Sequence, residues 1–181
     1  MKRISTLLAL ISLTSAHKPQ DPPFSIDGKP IHPACVYELL TNLADSRPIV
    51  AAVDIDGCTK SNRHGGKVAE DLGGWLYKNA DLLGENGWFQ YWHVGVTPDG
   101  VHVLKTALSG GGSGVFYSVL FTTIDRNSFW NRDRSEDRWI LRSLGELELG
   151  DRTEKKVKLD SRALIITGPE GVEKFDVLKK P

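Results

Sequence analysis

The stretch that most constrains the fold runs from residue 88 to residue 124. Trp88–Val96 (WFQYWHVGV), 101–108 (VHVLKTAL) and 115–124 (VFYSVLFTTI) are three apolar-rich segments of strand length. Between them lie Thr97-Pro98-Asp99-Gly100 and the six-residue run Ser109-Gly110-Gly111-Gly112-Ser113-Gly114. Pro presets φ at a turn and Gly accepts positive φ, so the first connection predicts a hairpin. Aromatic and β-branched residues fill the flanking segments, which selects strand over helix. Three successive strands joined this way predict an antiparallel sheet.

The rest of the chain reads as additions to that sheet. Residues 24–31 hold an Asp27-Gly28 turn between apolar residues, a small hairpin signal. Residues 33–44 (PACVYELLTNLA) predict the one clear helix, with Pro33 at its first position and an apolar face of Val36, Leu39, Leu40 and Leu43. Residues 48–55 (PIVAAVDI) are almost continuously apolar, which predicts a central strand buried on both faces, ending in an Asp56-Gly57-Cys58 turn. A weak strand or helical turn lies in 59–74, and a further strand is expected over 75–79, with an Asn86-Gly87 turn after it. Residues 125–137 read as a polar loop, 138–144 as a strand and 145–152 as a turn. Two further segments, 157–159 and 164–166, meet across Asp160-Ser161, and Gly168-Pro169-Glu170-Gly171 closes a last hairpin onto 172–178. The expected fold is mainly β (α+β): an antiparallel sandwich or open barrel with one N-terminal helix.

In the aromatic strand, alternation puts Trp88, Gln90, Trp92 and Val94 on one face and Phe89, Tyr91 and His93 on the other. One of these faces belongs to the core.

The N-terminus bears on location. Lys2-Arg3 precedes ten apolar-rich residues, 4–13 (ISTLLALISL), followed by Thr14-Ser15-Ala16. This pattern predicts a secretory signal peptide, 1–16, cleaved after Ala16. Ten residues are too few to span about 30 Å of hydrocarbon as a helix. Residues 17–23 (HKPQDPP) form a flexible leader, and 24–181 a single β-rich domain with no transmembrane segment. The expected location is periplasmic or secreted. In an oxidising compartment Cys35 and Cys58, the two cysteines of the chain, are expected to form a disulfide. A redox thiol pair would normally show Cys-x-x-Cys, which is absent. Lys plus Arg number 23 and Asp plus Glu number 23, so the chain has no net charge. That argues against a nucleic-acid partner, which demands a cationic surface.

Several motifs fail as catalytic or metal signatures. The 109–114 run lacks the Lys and the following helix of a phosphate loop. It fails the Gly-x-Ser-x-Gly elbow at Val115. Asp54-Ile55-Asp56-Gly57 opens like a calcium loop, but its twelfth position is Gly65 rather than Glu. His93 and His102 flank the 97–100 turn and are expected to touch across the hairpin. Neither they, nor His32 and His64, show an obvious third ligand, so no metal or other cofactor is expected. The alternating charges of 131–138 (NRDRSEDR) read as a solvated loop, and Gly150-Asp151-Arg152 as a turn with a local ion pair.

Ile31-His32-Pro33 with Cys35-Val36, the segment 48–58 (PIVAAVDIDGC), Gly110 through Phe116 (GGGSGVF) and Leu149-Gly150-Asp151-Arg152 together resemble a group of uncharacterised exported bacterial proteins. That resemblance implies export and a β-rich domain, and brings no catalytic residue. A shorter element, Ser113-Gly114-Val115-Phe116-Tyr117, is similar to the Ser-Gly-x-x-Tyr element of periplasmic lysozyme inhibitors. It implies that Ser113 and Tyr117 contact a protein partner. The leading expectation is a non-catalytic binding or inhibitor module for a protein or envelope ligand. Its surface is the loop 109–117, with Ser109, Ser113, Gly114 and Tyr117 as contact residues. The alternatives are a hydrolase acting on envelope material through Asp54, Asp56 and a histidine, and a structural envelope protein.

Overall fold

The computed structural model describes residues 24–40, 50–60, 66–131 and 134–177, and of 60, 130 and 131 the backbone alone. The expected signal peptide 1–16, the expected leader 17–23, residues 41–44 of the expected helix and His64 lie outside the described residues. In chain order the elements are β1 (Ser25–Ile26), β2 (Lys29–Pro30), α1 (Pro33–Tyr37), β3 (Ala52–Asp54), α2 (Ile55–Lys60), β4 (Lys67–Asp71), β5 (Gly74–Lys78), α3 (Ala80–Leu83), β6 (Trp88–Val96), β7 (His102–Ser109), β8 (Phe116–Asn131), β9 (Arg134–Asp151), β10 (Lys156–Asp160), β11 (Ala163–Gly168) and β12 (Gly171–Asp176). Seven strands form one antiparallel sheet in the order β3-β9-β8-β7-β6-β5-β4, curled into a half-barrel. β10, β11 and β12 form a second sheet, and β1 and β2 a small hairpin. The fold is mainly β, as the sequence predicts.

The 88–124 meander forms as expected. Gly100 takes φ +84° in the turn. The buried Thr97 closes that turn, its hydroxyl accepting from Val101 N–H at 3.0 Å.

The largest departure is the hairpin of β8 and β9. Residues 125–131 and 134–137 are strand rather than loop, and 145–151 are strand rather than turn: β8 and β9 pair from Phe116 and Asp151 to Asn131 and Arg134. The alternating charges are cross-strand partners. Arg126 meets Asp137 at 3.5 Å and lies over the Trp139 ring, and Ser128 donates to Asp137. Gly145 and Gly150, which look like turn residues, mark bulges. Thr122 pairs with Ser143 while Phe121 pairs with Gly145, so Leu144 is extra; Leu149 is extra in the same way between Glu148 and Gly150. Both glycines have positive φ. Each bulge sharpens the local twist and bends the strand, which curls the sheet where β7, β8 and β9 run together.

The apolar segment 48–55 is also corrected. β3 covers three of its residues, pairs with β9 alone and is an edge strand, with Ala52 exposed. Ile55 leaves the strand and begins α2, so Cys58 sits on a helix rather than in a turn. α1 is shorter than its sequence pattern suggests, and all five of its residues are buried. His32 caps it, its Nδ1 accepting from Ala34 N–H at 3.1 Å. Leu39 and Leu40 then bond back three residues, to Val36 and Tyr37, which tightens the end of the helix. The Cys35 to Cys58 disulfide, with 5.8 Å between Cα atoms, pins α1 to α2.

Both faces of the large sheet are covered. On one, Tyr77, Phe89, Tyr91, Leu104, Leu120 and Leu141 pack against Phe24, Ile31 and the disulfide-linked helices. Tyr91 donates to the Ile31 carbonyl, and burial raises its pKa. On the other, Val101, Val103, Val119 and Leu149 pack against Leu164, Ile166 and Val177 at the second sheet. The aromatic strand therefore buries its Phe89 and Tyr91 face. Its other face ties down the β4 to β5 turn: Gln90 donates to Asp71 O and Trp92 Nε1 to Leu72 O.

Candidate functional site

The glycine-rich loop leaves β7 at Ser109 and enters β8 at Phe116. Ser109 is buried, whereas Gly110 to Ser113 are exposed. Gly111 has φ +86° and lies 3.3 Å, measured from an ideal Cβ, from Gly87 N. Gly114 would set a Cβ 3.3 Å from the Phe116 ring, whereas Gly110 and Gly112 face open space. Two of the four glycines are thus demanded by local geometry. The loop is held from β9 by the residues of the second sequence element. Asp151 Oδ1 accepts from Val115 N–H at 2.9 Å. Arg152 N–H donates to Val115 O at 2.9 Å, and Arg152 Nη2 donates to Ser113 Oγ at 3.0 Å. The GGGSGVF and LGDR elements are therefore one structural unit.

The four expected contact residues do not share a surface. Ser113 is exposed at the loop, Gly114 is half-buried at its end, and Ser109 is buried at its start. Tyr117 is half-buried, with the Lys105 ammonium 5.5 Å from its ring centre and 5.2 Å from that of Trp92. Lys105 also pairs with Glu154 at 2.5 Å. Burial foremost, and then Glu154, raise the Tyr117 pKa. Trp88, Trp92, Lys105 and Tyr117 line an open groove that extends to β10.

Beside the loop, on the disulfide-bearing face, β7, β8 and β9 enclose a cavity of about 300 Å³. Leu40, Leu108 and Phe116 supply apolar wall, and Phe116 is 46% exposed. The polar side is a chain from buried Thr106 through buried Ser118 to Glu146: the two hydroxyls lie 2.7 Å apart and Ser118 Oγ donates to Glu146 Oε1 at 2.5 Å. Because the one Ser118 proton goes to Glu146, Thr106 is the donor in the first bond. Glu148 and Asp151 complete the acidic rim. Sequence reading missed Thr106, Ser118, Glu146 and Glu148. The available signal was alternation: Thr106 and Ser118 are in phase with Leu104, Leu108 and Leu120, so they interrupt an otherwise apolar face.

Among the described residues no histidine lines the cavity to act as base for Ser118. His102 is four residues along β7 from Thr106, about 13 Å of strand. His93 and His102 do touch, with Nε2 of one 3.3 Å from Nδ1 of the other. They are diagonal neighbours, since His93 pairs with Leu104 and a register shift follows. The Phe24 ring stacks on His93 and meets His102 edge-on. Burial, and then the charge of its neighbour, push His102 down to about 4; burial also lowers His93.

Asp54 and Asp56 line a separate, open cleft with Arg126, Glu136, Asp137 and Arg138. Asp54 Oδ1 accepts from Gly57 N–H at 3.1 Å, capping α2. Its Oδ2 meets Arg138 Nη1 at 2.7 Å, and Arg138 Nη2 reaches Glu136 at 3.2 Å. Donating hydrogen bonds to Asp54 and then Glu136 raises the Arg138 pKa. Asp54 is thus committed to a helix end and an ion pair, not to a histidine. Among the described residues no group of three or more His, Cys, Asp or Glu is placed to hold a metal ion, and no helix is long and apolar enough to cross a membrane. Comparison with protein families, curated proteins and solved structures found no match to this chain.

Proposed function

We propose that this chain is an exported, non-catalytic binding or inhibitor module whose partner meets the 109–117 loop. One observation carries the reading: an exposed loop is fixed at its β8 end, by Asp151 and Arg152, beside a cavity with an exposed aromatic at its edge. A loop needed only to join two strands has no use for three contacts from a third. Fixing it before binding lowers the ordering cost of association. The signal-peptide pattern of residues 1–16 and the disulfide support a partner outside the cytoplasm, a protein or envelope component. Inhibition of a lysozyme is the specific form that the exposed Ser113 supports.

The test is recovery of periplasmic or host proteins on the mature chain, comparing wild type with Gly111→Pro and Tyr117→Ala. Proline cannot adopt the φ of Gly111. The reading expects a partner lost with Gly111→Pro and weakened with Tyr117→Ala. Equal recovery of every protein on all three baits removes the loop from the function.

A further inference from the structure

We infer that the outer edge of β4 docks a second copy of this chain, as an antiparallel strand pair about a two-fold axis. β4 ends the seven-stranded sheet, and among the described residues no strand pairs with its outer side. All five of its residues, Lys67–Asp71, are exposed. The unpaired N–H and C=O groups of such an edge are a template for another strand. β4 is also held in place to receive one. Gln90 donates to Asp71 O at 2.7 Å, Trp92 Nε1 donates to Leu72 O at 3.2 Å, and a Cβ on Gly74 would lie 2.6 Å from Trp92 Nε1. At the turn stands Leu72, 88% exposed at φ +48°. A turn of this kind favours Asn, Asp or Gly there, so the apolar side chain answers no local need.

Backbone alternation and charge together fix the register. Leu72 and Gly73, at φ +48° and +74°, form a type I′ turn between the paired Asp71 and Gly74. That closing pair is hydrogen-bonded, and bonded pairs alternate along an antiparallel ladder. Lys67, Ala69 and Asp71 therefore turn their N–H and C=O groups to β5, and Val68 and Glu70 turn theirs outward. A two-fold axis through Ala69 sets Val68 against the copy's Glu70 and Glu70 against its Val68, so each outward group finds a partner. Lys67 then opposes the copy's Asp71 on one face, at both ends of the pair, where opposite charges stabilise. The next bonded register in one direction sets Glu70 on the copy's Glu70, and in the other it loses every charge pair. The favoured register also brings Leu72 to the copy's Gly66, which has no side chain to block it. The contact is self-complementary, as a two-fold interface must be. It does not depend on the loop reading above.

The test follows backbone amides of the mature, disulfide-bonded chain by NMR from about 0.05 to about 1 mM, a range suited to a small, transient interface. The expected result is that the Val68 and Glu70 amides shift and gain exchange protection as concentration rises. The Ala69 amide, bonded to β5, is protected throughout. Lys67→Asp or Asp71→Lys alone sets like charges at both ends of the pair and should weaken self-association roughly tenfold. Mixing the two variants should restore it, since each then meets opposite charge on the other. A misfolded variant could not be rescued in this way. Val68 and Glu70 amides that ignore concentration overturn the inference. Self-association that ignores both single variants, or fails to recover on mixing, overturns it as well. If the two amides become protected only when a recovered partner protein is added, the edge takes a foreign strand and the second-copy inference falls.

Discussion

The cavity beside the glycine-rich loop and the cleft at Asp54 both draw carboxylates from the long β8 to β9 hairpin, at opposite ends of it. In the cleft the negative charge is answered within the chain: Asp54 by Arg138 and a helix N-terminus, Glu136 by Arg138 and Arg134. At the cavity, Asp151 pairs with Arg152 at 3.3 Å and accepts from Val115 N–H, and Glu146 accepts from Ser118. The same residue type therefore does two jobs. At the cleft carboxylates hold a helix end to β9, and beside the loop Asp151 holds the exposed glycine-rich segment to the end of β9.

If that contrast is right, the disulfide and cleft end should answer mutation with stability, and the loop and cavity end with binding. The largest stability effect is expected from Cys35→Ser with Cys58→Ser. Freeing α1 from α2 should lose roughly 3 kcal/mol in urea unfolding, by the loop-closure estimate. A loss of partner affinity with unchanged stability would reverse the assignment of that end.

Acid should give the next effect. His93 and His102 are held below the ordinary histidine value in the fold, His102 at about 4. The unfolded chain therefore takes up protons first as pH falls below 6.5. Stability is full above that value and declines toward pH 4, by about 2–3 kcal/mol for His102. Urea midpoints between pH 7 and 4 measure this decline, and His102→Gln should flatten it. A slope unchanged by that substitution would place the acid sensitivity elsewhere.

Asp54→Ala removes a helix cap and one partner of Arg138, and should lower stability by about 1–2 kcal/mol while partner affinity holds. The smallest effect belongs to the loop itself. Gly110→Ala and Gly112→Ala, facing open space, should stay within about 0.5 kcal/mol of wild type in thermal melts. Gly111→Ala, forced to positive φ, should lose about 1 kcal/mol or more.

The sequence disclosed those parts whose cause is local. Alternation and the Pro-Asp-Gly turn made β6, β7 and the start of β8 readable, and two cysteines under the expected export made the disulfide readable. The β8 to β9 hairpin was hidden because its strands carry cross-strand charges instead of apolar alternation. Gly145 and Gly150 read as turn residues although they mark bulges. That error also concealed the cavity. Thr106, Ser118, Glu146 and Glu148 come from three strands, and they converge only once the extra residues Leu144 and Leu149 set the register. The apolar run 48–55 misled in another way: its end, at Ile55, belongs to a helix that Asp54 caps.

The most direct test of the central claim is the dissociation constant of the recovered partner for wild type, Gly111→Pro and Asp54→Ala, each with its melting temperature. A binding loop predicts at least roughly tenfold weaker binding for Gly111→Pro, equivalent to about 1.4 kcal/mol, together with a lower melting temperature from the loss of its positive φ. Asp54→Ala should melt earlier and bind as wild type does. Equal affinity for Gly111→Pro and wild type would contradict the claim that the glycine-rich loop is the binding surface.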